Sequence, residues 1–102
     1  MAKLITIYWR GIPARVIAKH GRSSVKLQLS VRFQRAIDRA AMRAGKGRSD
    51  AYLSDWRREV ATCGANLDSE VQTVVDRLEL QYTDDDLLAL IRSHGRPSRS
   101  VS

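Results

Sequence analysis

Lys3-Leu4-Ile5-Thr6-Ile7-Tyr8-Trp9 sets Leu4, Thr6 and Tyr8 on one side of an extended chain and Ile5, Ile7 and Trp9 on the other. Both sets are largely apolar and β-prone, so the stretch reads as a central strand covered on both faces. Gly11-Ile12-Pro13 interrupts it, because proline has no N–H to donate to a ladder. Arg15 to Lys19 reads as a second strand, and Gly21-Arg22-Ser23-Ser24 as a turn. Val25, Leu27 and Leu29 then alternate with Lys26 and Gln28, the pattern of a third strand with one wet face. Three strands this close in sequence are expected to form an antiparallel meander.

At Ser30, a candidate N-cap, the apolar period changes from 2 to 3.6. Phe33, Ile37, Ala40, Ala41 and Ala44 share one side of a helix expected over residues 31–44. Gly45-Lys46-Gly47 ends it. Ser49 is then expected to cap a second helix that turns Tyr52, Leu53, Trp56 and Val60 inward, and Cys63-Gly64 to break it. Asn66 caps a third helix carrying Leu67, Val71, Val74, Val75 and Leu78. Thr83 with Asp86 has the spacing of a capping box for a short fourth, stopped by Gly95. The expectation is an α+β fold: a three-stranded antiparallel sheet followed by three or four helices packed mainly on one face. A chain of 102 residues makes one domain, here residues 1–94, with residues 95–102 as a disordered polar tail.

The net charge of +7 is unevenly spread. Residues 1–48 hold twelve Lys and Arg against the single acid Asp38, whereas residues 49–102 hold six basic and ten acidic side chains. Such polarity favours an anionic partner. No apolar run approaches the roughly 20 residues of a membrane span. One cysteine, Cys63, allows no intramolecular disulfide, and a reducing cytoplasm fits it best. Cys63, His20 and His94 are too few for a structural zinc site. No phosphate-binding glycine loop, His-Glu-x-x-His, Cys-x-x-Cys or Gly-x-Ser-x-Gly is present, so nothing points to a cofactor, a metal or a catalytic residue. Asp84-Asp85-Asp86 suits the positive end of a helix dipole better than one ion, because successive helical side chains diverge by about 100°.

Two surface features stand out. Arg32, Arg35, Arg39 and Arg43 form a stripe on the first helix, away from its apolar side, and Lys46 and Arg48 continue it. Guanidinium groups suit carboxylate or phosphate surfaces through their forked, permanently charged donors. The bland reading is a solvated helix face. Trp9 and Arg10, at a strand end, form a possible interaction edge. These features predict a non-enzymatic protein that docks an acidic protein partner. A nucleic-acid-binding module using the basic half is the alternative.

Ile5 to Ile17 (ITIYWRGIPARVI), with Phe33 to Gly45 (FQRAIDRAAMRAG) and Ser49 to Arg58 (SDAYLSDWRR), resembles the bacterial "virulence factor" domain family. The resemblance covers about residues 3–92. The family occurs as small stand-alone proteins, chiefly in alphaproteobacteria, and a related domain ends the longer conserved virulence factor C. Its name records a phenotype, so it carries no catalytic residues over to this chain. Stand-alone members occur beside corrinoid and tetrahydrofolate methyl-transfer enzymes, and the resemblance therefore implies an accessory role in one-carbon metabolism.

Overall fold

The computed structural model describes residues 2–43, 45 and 55–95. They form β1 (Ala2–Trp9), β2 (Ile12–His20), β3 (Ser23–Gln28), α1 (Val31–Arg43), β4 (Trp56–Cys63), α2 (Leu67–Gln81) and α3 (Asp84–Arg92). The sheet is antiparallel throughout, in the order β3-β2-β1-β4. The meander is thus present, but the sheet has four strands rather than three.

The added strand corrects the part of the expected second helix that held Trp56 and Val60. Trp56 and Val60 are spaced for a helix, yet Trp56–Cys63 pairs residue for residue with β1, from Trp9↔Trp56 to Ala2↔Cys63. The physical reason lies in β1. A meander alone would leave the most apolar strand at an edge, with one row of N–H and C=O groups unpaired. β4 satisfies that row and makes β1 internal. Val60, expected inside, is 55% exposed. Tyr52, Leu53 and the Ser49 cap lie outside the described residues, as do Lys46, Arg48 and residues 96–102.

Both hairpin turns have two residues, Arg10-Gly11 and Gly21-Arg22. Their first residues have φ of 55° and 62°, the sign that matches strand twist. Pro13 is accommodated by a bulge, where the register slips between Ile7↔Arg15 and Tyr8↔Pro13.

Directly paired residues share a sheet face, and the ladders sort the sheet into two. Ala2, Leu4, Val16, Ala18, Val25 and Leu27 share one face, which joins Trp9, Ile12 and the inner sides of the helices in a single core. α2 packs on β2, β3 and β1, α1 on β2, and α3 on α1. The ring of Phe33 on α1 meets Tyr82 edge to face, 5.8 Å between centroids. Among the described residues no helix packs on the opposite face.

Local capping follows the sequence closely. Asn66 Oδ1 accepts from the Ser69 N–H at 3.2 Å. Thr83 and Asp86 complete a reciprocal box at 3.1 and 3.0 Å. α3 ends in a Schellman motif, in which Gly95 N donates to Leu90 O and His94 N to Ile91 O. The left-handed residue there is His94, at φ 62°, with Gly95 following at φ 84°. Ser30, the expected cap of α1, turns its hydroxyl to Glu79 of α2, donating at 2.9 Å, while its carbonyl accepts from Phe33 N at 3.0 Å.

Candidate functional site

The arginine stripe of α1 divides in two. Arg32 is a structural clasp. Its Nη2 donates to the Glu79 carbonyl at 2.7 Å and to the Glu79 carboxylate at 3.2 Å, and its Nη1 to Asp84 at 3.2 Å. It also lies over the Phe33 ring, 4.6 Å from the centroid. Arg32 therefore ties α1 to the end of α2 and the start of α3. Arg35, Arg39 and Arg43 are exposed and make no ion pair among the described residues.

Two of these free arginines border an open groove between α1 and α3. Met42, Leu88 and Ile91 form its floor, Arg39, Arg43 and Arg92 line it, and Asp38 is the one acid on its rim. The groove encloses about 460 Å³. Met42 is 70% exposed and Leu88 42%. The local cause is the short α3, which buries Leu87 and Leu90 and so turns Leu88 outward. An adjoining depression brings Arg35 beside Val31, Leu88 and Asp85. Sequence reasoning found the arginines but missed Met42, Leu88, Ile91 and Arg92. Leu88 and Ile91 sit three apart on α3, and only the packing of α3 on α1 sets them beside the stripe.

Trp9 and Arg10 do not form a free edge. Trp9 is fully buried. Arg10 pairs with Asp55 at 3.2 Å, donates to the His94 carbonyl at 2.7 Å, and stacks 4.9 Å from the centre of the Trp9 ring. Arg57 Nε donates to the Arg10 carbonyl, and Gly11 N to Gly95 O. The pair is a knot joining the first hairpin, the entry to β4 and the end of α3.

Cys63 and His20 do not converge. Cys63 pairs with Ala2, and His20 lies one residue beyond Lys19, which pairs with Lys3. β1 therefore stands between them, and two strand spacings amount to roughly 10 Å, beyond hydrogen-bond reach. Burial, and then the Glu70 carboxylate, push the Cys63 thiol above its ordinary pKa, away from a reactive thiolate. Burial likewise raises the Tyr8 and Tyr82 phenols. Among the described residues no three His, Cys, Asp or Glu side chains are grouped to hold a metal. No described helix is long and apolar enough to cross a membrane.

The architecture and the groove define a small α+β domain with its described helices on one face of an antiparallel sheet. A family model described as "Virulence factor" matches residues 7–91, and the chain belongs to that family. No curated protein and no solved structure matches it.

Proposed function

We propose that this virulence-factor-family protein is a non-enzymatic accessory protein that docks an acidic segment of a partner protein in the α1–α3 groove. One observation carries the reading: Met42 and Leu88 stand exposed beside Arg39, Arg43 and Arg92, none of which is ion-paired among the described residues. An apolar floor with a cationic rim matches an amphipathic helix that lays leucines into the groove and carboxylates against its edges. Methionine at the contact lets the floor adapt to its occupant. A nucleic-acid backbone would use the arginines and gain nothing from the floor. The family resemblance points to corrinoid or folate methyl-transfer enzymes as the place to look for the partner.

The test uses an amphipathic helical peptide with Leu on one face and Glu on the other, alongside mixed-sequence DNA and RNA 20-mers. The peptide is expected to shift the Ile91 methyl resonance, and Met42→Glu and Arg39→Gln/Arg43→Gln are each expected to weaken its binding at least tenfold. Nucleic acid is expected to bind only at low salt, since phosphate contacts are lost steeply as salt rises. Sequence-tolerant binding of the 20-mers at physiological salt, abolished by Arg35→Gln/Arg39→Gln/Arg43→Gln and indifferent to Met42→Glu, would replace this reading with the nucleic-acid one.

A further inference from the structure

The ladders define, row by row, the sheet face on which no described helix packs. One row across the four strands is Ser24, Lys19, Lys3 and Thr62; the next is Lys26, Ile17, Ile5 and Val60; the third is Gln28, Arg15, Ile7 and Arg58. Twelve positions thus hold five cations and no acid, and a band of four aliphatic side chains runs through the middle. All five cations are exposed. Ile5 is 5% exposed and lies outside the helix-side core, while Val60 at the β4 edge is 55% exposed. Lys3 lies directly opposite Lys19. Like charges so paired destabilise a sheet, and the arrangement opposes the stability of the isolated fold.

We infer that this sheet face is a second docking surface, for a protein whose contact patch is apolar at its centre and flanked by carboxylates. Charge complementarity selects the occupant. A second copy placed sheet to sheet would set five cations against five. Single-stranded nucleic acid needs exposed aromatic rings to stack its bases; none of the twelve residues is aromatic, and in the adjoining row Trp9 is fully buried and Trp56 half-buried. A duplex would lay phosphates over the isoleucine band, desolvating them without a partner. An acidic protein surface covers the isoleucines with apolar side chains and meets both cationic flanks with Asp and Glu. The face is about 15 Å on a side by strand spacing and rise, a small interface, and its five cations make association fast and salt-sensitive.

The protein's six isoleucines separate the surfaces: Ile5, Ile7 and Ile17 report the sheet face, Ile91 the α1–α3 groove, and Ile12 and Ile37 the buried core. A benzophenone side chain is placed at position 60 of the full-length, tagged chain in cells of the source organism, with position 73 on α2 as control. The position-60 adduct is expected to be a protein, crosslinked through a peptide rich in Asp and Glu, and lost in Lys3→Glu/Lys19→Glu/Lys26→Glu. Unchanged Ile12 and Ile37 methyl shifts show that this variant folds. The crosslinked protein, purified and titrated against the methyl-labelled chain, is expected to move Ile5, Ile7 and Ile17, with affinity lowered at least tenfold by the charge reversal. Adducts with nucleic acid or with a second copy would overturn the inference. So would an absence of adducts, or adducts that survive charge reversal. Shifts confined to Ile91 would also overturn it while leaving the groove reading intact; shifts at Ile5, Ile7 and Ile17 without Ile91 would do the reverse for that partner.

Discussion

His94 holds a backbone conformation that costs an L-residue roughly 1–2 kcal/mol, and it does so where helices usually place glycine. His94→Gly is therefore expected to raise the unfolding free energy by about 1 kcal/mol, read from urea denaturation. Gly95 behaves oppositely. A Cβ there would lie 2.7 Å from Trp9 Cζ3, with φ at 84°, so neither space nor backbone admits a side chain. Gly95→Ala is expected to cost about 2–4 kcal/mol and to perturb Trp9 fluorescence. At Cys63 the raised pKa leaves less thiolate at a given pH than an unhindered cysteine has. Alkylation by iodoacetamide at pH 8 should therefore run slower than in a model peptide, and Glu70→Gln, which removes one cause of the shift, should speed it. Equal rates in the two proteins would remove Glu70 from the account.

Among the elements, β4 and α1 show how pairing overrides spacing. Val60 falls on the inner side of a helical reading and on the open face of the strand that forms. Val60→Lys should cost less than about 1 kcal/mol by thermal unfolding; the 2–5 kcal/mol of a buried apolar position would contradict the pairing. On α1, four arginines at like spacing have unlike roles. Arg32→Ala removes donors to a backbone carbonyl and two carboxylates, and should destabilise by about 1–3 kcal/mol. Arg39→Ala should change stability by no more than about 0.5 kcal/mol. That contrast is checked by denaturation of the two single variants.

Across the whole molecule, charge is segregated in space as well as along the chain. The open sheet face is purely cationic, while α2, on the other side of the sheet, carries Asp68, Glu70, Asp76 and Glu79 against Arg77. Placing an acid among the cations should relieve repulsion. Lys19→Glu is expected to stabilise the fold by a few tenths of a kcal/mol at low ionic strength, and the gain should fade as salt rises beyond about 0.15 M. A loss of stability at low salt would show that the lysines are held by contacts within the chain.

The first three strands, their glycine turn, α1, and the caps of α2 and α3 could be read from the sequence, because each depends on a period or a turn residue within a few positions. Asn66 and the Thr83–Asp86 box behave as their spacing predicts. The same local reading placed arginines on the solvent side of α1. It could not place β4, since Trp56 and Val60 satisfy a helical period as well as a strand's, and only the unpaired edge of β1 decides between them. It could not tell Arg32 from Arg39, because their difference is Glu79 and Asp84, brought to one of them by α2 and α3. Nor could it show that Trp9 and Arg10 turn inward, or that Ile5, Ile7 and Ile17 lie on the sheet face opposite the described helices. Those outcomes are contacts between residues far apart in the chain, and local periodicity holds no information about which distant segment arrives to make them.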